Sequence, residues 1–600
     1  MINRSTKTLQ LIFVLLLLFT SSLFSKYNSS IPIEKLSQDK QWQRLLHFKN
    51  KKSEIDDKNF FFSKNGKYNL KDELNATIEK LILDKSDDEN STLCRYPSRS
   101  TWILKQLPNL KKQIFIPKCT QLNKELKELG AKEVTLILAS AHINSPASAF
   151  GHTFLRIDNN PDTPLLSYAV NYAAQTTEDN GFVYAYQGLF GGYKGRYSID
   201  PYYKKLNEYS DLEQRDVWEY SLDLTQEEID RMVLHIFEIR HFYADYFFLA
   251  ENCSYNLLWL IEIAKNKNNL TKQFTYKAIP IDTLRAVISE KLIKKTTYRP
   301  SKRIKILALS EPIKENSQAL NFATSSKYNF HEIQKLTTKE KIASLELATA
   351  LLKIERSNNE ISKKEYLPKF LKLLKYRSKL GQQKKSPIEE PFSPIEGHYS
   401  AKNTFSYGSN HSFKARTKVS YHDIFDNDKG YISGAYINFF DTAIEYKDKK
   451  LKLEELNLLD IKSYALQDAI FKPISWEVSL GATRLFDNEL YSYLKAGAGF
   501  TLGSENLYSY ATLTPTIYYQ KDAKHSLGVN IGVIYNPSFK LKAGLLTTKE
   551  WFKDKEKIET VSPFITYSFD QKMAINMQYK HKKQSNEIEN EAIFSWFWYY

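Results

Sequence analysis

From residue 396 to the C-terminus, apolar and polar residues alternate with a period of two. In WEVSLGATRLF, Trp476, Val478, Leu480 and Ala482 share one face, and Glu477, Ser479 and Thr483 share the other. SLGVNIGVIY sets Leu527, Val529, Ile531, Val533 and Tyr535 against Ser526, Gly528, Asn530 and Gly532. KMAINMQYK repeats the pattern, with Met573, Ile575, Met577 and Tyr579 against Ala574, Asn576, Gln578 and Lys580. The terminal AIFSWFWYY places Ala592, Phe594, Trp596, Trp598 and Tyr600 on one face. About twelve such segments, each about ten residues long, predict an antiparallel β-barrel of outer-membrane type over 396–600. A soluble antiparallel sheet with one polar face is the alternative. KKLKLEELNLLDIKSY fits the alternation least well.

Upstream the pattern differs. Residues 26–130 are polar, charged and mostly helical in period, as in LKDELNATIEKLIL and LNKELKELG. Over 131–300 an α+β block is predicted. VTLILASAH, HTFLRID and PLLSYAVNY read as strands, the last two joined by the turn-rich NNPDT. A Gly/Tyr-rich loop, YQGLFGGYKGRYSIDPYY, comes next, followed by the strand VWEYSLDL, a helix from Gln226 to about His241, and a helix opening at Cys253. Residues 301–395 form a connecting segment that starts basic and strand-like and becomes helical, and GQQKKSPIEEPFSP reads as a linker.

Composition places this organisation in a compartment. Six hundred residues exceed a single core, so two to four domains are expected. Charged residues at 26% and apolar residues at 42% suit a folded chain. The net charge of +16 indicates an anionic setting. No nucleic-acid recognition motif accompanies it, so a lipid surface fits better. Arg4 and Lys7 precede the apolar run Leu11 to Phe19 and then TSSLFS, the three regions of a secretory signal peptide over 1–25, cleaved near Ser22 or Ser25. No later stretch reaches the roughly 18 apolar residues of a transmembrane helix. The mature chain is therefore expected in the cell envelope.

Three cysteines in an oxidising compartment leave one unpaired. Cys94 and Cys119 are near enough in sequence to close a loop of about 25 residues and free Cys253, although sequence alone leaves the other pairings open. Cys253 opens a helix in LAENCSYNLLW, where backbone N–H groups and the helix dipole lower a thiol pKa. His152 opens a strand about a hundred residues earlier and could activate it. If Asp158 pairs with Leu165 in a hairpin, His152 faces Asn171, which could orient the imidazole. Taken singly, these residues have ordinary roles: Cys253 as a small core residue, Asn252 as a helix N-cap, and Ser148 as a turn cap. Gly191 and Tyr193 lie in the GLFGGYKGRY loop, a lid or membrane-facing lip. Those four flanking positions, Asn252, Ser148, Gly191 and Tyr193, are the candidate substrate or oxyanion contacts. No metal-ligand or cofactor spacing is present, and neither group is expected.

A histidine first, an amide on the neighbouring strand, and then NC at a helix start is the chain order of circularly permuted papain-like thiol enzymes, including lecithin:retinol acyltransferase and its relatives. SAHINSPASAFGHTFLRID, GLFGGYKGRYSIDPYYKKLNEYSDLEQRDVWEY and LAENCSYNLLWLIE resemble the Lnb N-terminal periplasmic domain family. FFFSKNGKYNLKDEL and CRYPSR resemble the segment that precedes this domain in longer bacterial members. The resemblance covers about 60 to 300. It implies a permuted papain-like (NlpC/P60-like) α+β fold and a periplasmic thiol acyltransferase that takes an acyl chain from phospholipid and passes it to a lipoprotein. Carried over, Cys253 is the nucleophile, its backbone N–H part of the oxyanion hole, His152 the general base and Asn171 the orienting amide. The acyltransferase members have membrane helices where this chain has a barrel pattern, which leaves the acceptor open. A thiol hydrolase (peptidoglycan peptidase or amidase, or phospholipase) and a non-catalytic barrel with a periplasmic docking domain are the competing readings.

Overall fold

The computed structural model describes residues 33–140, 151–176, 178, 181–325, 327–383, 387–485, 487–584 and 587–600. The expected signal peptide and Ser148 lie outside the described residues. None of the described helices is long and apolar enough to cross a membrane.

Helices Leu70–Leu83 and Pro97–Gln106 pack in the N-terminal part, and Cys94 and Cys119 form a disulfide. Arg99 ties this part to the next. Its fully buried guanidinium donates to Glu73 at 2.9 Å and to Glu238 at 2.7 Å. Both carboxylates also accept backbone N–H groups, so neither buried charge is left bare.

The central sheet is antiparallel and has seven strands: β1 (Glu133–Ala139), β2 (His152–Asp158), β3 (Tyr168–Gln175), β4 (Tyr193–Pro201), β5 (Val217–Leu222), β6 (Ala244–Tyr246) and β7 (Ile293–Arg299), in the order β6-β4-β3-β2-β1-β5-β7. The Gly/Tyr-rich stretch expected as a loop is instead helix α1 (Gly181–Phe190), a turn, and β4. Gly191 makes that turn at φ +78°, and a side chain there would run into the Phe247 ring. Helices α2 (Gln226–Ile239) and α3 (Cys253–Lys265) pack together, and α3 lies against β2 and β3. The basic piece after 300, read as strand-like, is helical over Lys302–Ser310. Ser301 caps it by accepting from the Ile304 N–H.

Twelve antiparallel strands from Lys402–Gly408 to Glu587–Tyr599 close into a barrel, the last pairing with the first. The alternation read from sequence decides the faces. Leu494, Leu513, Ile531, Met577, Trp596 and Trp598 are exposed on the outer wall, whereas Glu477, Thr512 and Asn576 are buried inside. A closed barrel leaves no unpaired edge, and an apolar outer wall over a polar lumen is the outer-membrane arrangement. KKLKLEELNLLDIKSY joins it as Lys450–Ser463 with register shifts, which accounts for its weaker pattern. Lys402 and Lys418 hold Asp423 and Asp426 inside the end of the barrel where Lys402 begins its strand.

The α+β domain is seated on the barrel. Arg285 donates to the Gly397 carbonyl at 2.7 Å and to that of His398 at 3.0 Å, and Lys277 donates to Ser400 at 2.8 Å. The domain core continues into Ile437, Phe439 and Ile461 of the barrel.

Candidate functional site

Cys253 is the first residue of α3, and its side chain is buried. Asn252 caps the helix, its side-chain oxygen accepting from the Ser254 and Tyr255 N–H groups and its amide donating to the Phe248 and Ala278 carbonyls. This network holds the helix start, and Asn252 also lines the cavity beside Cys253. His152 enters β2 directly after Gly151, whose φ of +84° allows the sharp approach.

The thiol and imidazole are close enough to act on each other's charge, and Thr153 also acts on the sulfur. His152 Nε2 lies 2.6 Å from Asn171 Oδ1. The amide oxygen can only accept, so Nε2 carries a proton and Nδ1 is left for the thiol. Burial pushes the Cys253 thiol up, but the His152 charge and the hydrogen bonds from His152 and Thr153 outweigh it and bring the pKa down to about 7. For His152, burial acts to lower the pKa. The Cys253 charge and the hydrogen bonds to Cys253 and Asn171 prevail and raise it. Each group favours the charged form of the other, as in a thiolate–imidazolium pair. Tyr209 stacks on His152 with ring centroids 5.4 Å apart.

The Cys253 backbone N–H donates to the Tyr246 hydroxyl at 3.3 Å. Burial raises the Tyr246 pKa well above its usual value, so the phenol keeps its proton. An oxyanion arriving there would take over the Cys253 N–H from the Tyr246 oxygen and meet the Tyr246 O–H as a second donor. Tyr246 was not found from sequence: it sits on a three-residue strand that carries no motif.

A cavity of about 580 Å³ opens from Cys253 and His152. On the domain side it is lined by Tyr184, Leu189, Phe248 and Leu249. Its opposite wall consists of barrel residues, among them Phe440, Leu458, Leu480 and Leu494. Gly191 and Tyr193 are not among the lining residues. Gly191 serves the turn described above, and Tyr193 is buried in β4, paired with Tyr246. Elsewhere, His398, His422 and Asp426 converge within 4.8 Å. Asp426 already accepts from Lys402 at 2.6 Å and Lys418 at 2.9 Å, and that ammonium charge opposes a bound cation.

Residues 122–290 match the family described as the Lnb N-terminal periplasmic domain. Residues 34–106, 296–390 and 391–599 match three domains of unknown function, DUF7843, DUF7842 and DUF7840. No curated protein matches the chain. Among solved structures, the barrel resembles the NanC porin, at 10% identity and TM-score 0.25, with 34% of this chain and all of that one covered. An outer membrane channel from Pseudomonas putida F1 is similar at 11% identity and TM-score 0.24, covering 34% of this chain and 95% of that one. Omp33, an outer membrane protein of Acinetobacter baumannii, is similar at 10% identity and TM-score 0.19, covering 34% of this chain and 100% of that one.

Proposed function

We propose that this chain, in which an Lnb N-terminal periplasmic domain is joined to an outer-membrane-type barrel, is an envelope thiol acyltransferase that moves an acyl chain from phospholipid to a lipoprotein or another envelope acceptor. The observation that carries this reading is the cavity: from Cys253 it runs between aromatic and aliphatic side chains to the outer wall of the barrel. An acyl chain suits the stretch along the barrel, where Leu458, Leu480 and Leu494 would leave a peptide's polar groups unpaired. The permuted papain-like order of His152, Asn171 and Cys253 belongs to the same reading.

His152 takes the thiol proton, and Sγ attacks the carbonyl carbon of the lipid ester. The carbonyl electron pair moves to oxygen, where the Cys253 N–H and Tyr246 O–H stabilise it. As the tetrahedral intermediate collapses, the ester C–O bond breaks and the lysolipid oxygen leaves with the proton held by His152. An acyl-thioester remains on Cys253. An acceptor amine or hydroxyl then attacks the thioester and passes its proton to His152. The sulfur leaves and regains that proton. Water in place of the acceptor would make the same site a phospholipase.

Mass spectrometry of envelope lipoproteins and lipids from cells carrying wild-type or Cys253→Ser protein tests this. An acyl chain missing from an acceptor only in the variant supports acyl transfer. Unchanged lipids with altered muropeptides would overturn it in favour of the peptidase or amidase reading.

A further inference from the structure

The guanidinium of Arg215 is 2% exposed, yet it is only partly satisfied. Its Nη2 contacts Glu213 at 2.6 Å, while Nε and Nη1 are buried without a hydrogen-bond partner among the described residues. Leaving two charged N–H groups dry and unpaired is costly, and native proteins rarely do so without a ligand or a functional reason. Arg215 lines the same cavity as Cys253 and His152. It connects to the dyad through Tyr209, whose ring lies 5.3 Å from the Arg215 guanidinium carbon and stacks on His152. Glu208 and Glu213 line the cavity beside it.

The opposite side of the cavity is apolar and belongs to the barrel. Leu458 and Leu494 point outward from their strands and are 40% and 48% exposed. They are continuous with the wall that faces lipid. On the domain side, Tyr186 and Phe190 of α1 line the cavity while staying largely exposed, as residues at a membrane interface do. The cavity therefore has the polarity of a single amphiphile: hydrocarbon along the barrel, and a compact charged group beside the nucleophile.

We propose that the outer wall of the barrel forms half of the acyl-binding site, and that Arg215 is the specificity residue holding the phosphate of a glycerophospholipid drawn sideways from the membrane. Glu213, already paired with Arg215, and Glu208, already paired with Lys205 at 2.8 Å, each use their second carboxylate oxygen to receive the ammonium of a zwitterionic headgroup. This inference rests on the acyl-transfer reading and adds to it which residues select the donor and from which side it enters. A phosphate oxygen can accept from either of the two unpaired N–H groups, which lie on different edges of the guanidinium, once the side chain turns one of them into the cavity. The ester carbonyl then lies between headgroup and chain, at the level of Cys253.

The test uses the purified full-length chain in mixed micelles, with the acyl adduct on Cys253 read by intact mass. The donors are phosphatidylethanolamine, phosphatidylglycerol and diacylglycerol with identical chains, and a p-nitrophenyl ester. Wild-type protein should be acylated faster by phosphatidylethanolamine than by diacylglycerol, by about tenfold to a hundredfold. Arg215→Gln should abolish that ratio and Arg215→Lys should restore part of it. With phosphatidylethanolamines of two chain lengths, Leu458→Trp and Leu480→Trp should shift the preference toward the shorter chain, whereas Leu527→Trp, on the same face elsewhere on the barrel, should not. An unchanged preference in all three would overturn the barrel half of the site. Diacylglycerol reacting as fast as phosphatidylethanolamine would overturn the phosphate assignment, and phosphatidylglycerol reacting as fast would overturn the carboxylate assignment. A variant-free arm covers a misfolded Arg215→Gln. Dodecyl phosphate should protect wild-type Cys253 from iodoacetamide better than dodecanol does. Equal protection by inorganic phosphate would mean a free-phosphate site and would overturn the lipid assignment. No adduct from any donor, the p-nitrophenyl ester included, would remove the acyl-transfer reading itself. Equal rates from every donor would remove only this inference.

Discussion

His152 and Asn171 are hydrogen-bonded at 2.6 Å although the ladder between their strands ends before reaching them, at Leu155 and Val170. The hairpin register also differs from the expected one, since Ile157 pairs with Tyr168, two residues further along. An even shift keeps every side chain on its face, so the imidazole and amide still meet, diagonally rather than directly opposite. Because Asn171 acts only through the imidazole, Asn171→Ala should lower kcat by about tenfold to a hundredfold with little change in KM. It should also lower the apparent pKa of His152, because the bond to Asn171 helps to raise it. A pH–rate profile of p-nitrophenyl ester turnover that is the same in both proteins would sink the positioning role.

The pH dependence of Cys253 reactivity follows from the same pair. With its pKa brought down to about 7, the thiolate should accumulate as pH rises through that value. Cys253 is the free cysteine, so alkylation by iodoacetamide reports on it directly. The wild-type rate should climb between about pH 6 and 8, whereas in His152→Ala the midpoint should move above about 8.5, toward an isolated buried thiol. Coincident midpoints would show that His152 does not activate the thiol.

The barrel was legible because lipid demands one uninterrupted apolar face, so Leu527 through Tyr535 could be sorted without knowing any partner strand. Cys253, His152 and Asn171 were legible because each opens or occupies an element with its own local signal: a cap, a strand start, a hairpin. Arg215, Tyr246 and the barrel half of the cavity carried no such signal. Arg215 looks like any basic residue before a strand, and Leu458 and Leu494 look like ordinary lipid-facing positions. What makes them part of a site is the seating of one domain on the other, through contacts such as that of Arg285 with the Gly397 carbonyl, and no local period encodes this. Gly191 shows the opposite case: a glycine-rich run suggested a ligand contact where the chain needed a left-handed turn.

Arg99 gives a stability test in the N-terminal part. It balances Glu73 and Glu238, all three fully buried. Arg99→Leu would strand two carboxylates and should cost about 3–5 kcal/mol. Replacing all three with apolar residues should recover most of that loss, because the penalty comes from the unpaired charge. Denaturant unfolding followed by the fluorescence of Trp42 and Trp102, which stack at 5.4 Å, would measure both variants. A triple variant no more stable than Arg99→Leu would contradict this account.

Glu251, two residues before the nucleophile, predicts a second pH effect, on stability. Burial, with Glu54 and Asp56 as like-charged neighbours, pushes its carboxyl up to about 8 against the opposing pull of Lys52 and Lys49. The unfolded carboxyl titrates near about 4.3, so the folded state holds the proton more tightly. The stability linked to that proton is full below about pH 4.3 and is lost as pH rises through about 8. Glu251→Gln removes the titration while keeping a neutral side chain of the same size. Relative to wild type, it should gain stability from pH 5 to pH 9, by about 1–3 kcal/mol once solvent relaxation is allowed for. Denaturant midpoints of the two proteins at pH 5, 7 and 9 would measure this. A constant offset across that range would mean that Glu251 is already ionised in the folded protein. The loop that delivers Asn252 and Cys253 to the helix start would then tolerate the charge.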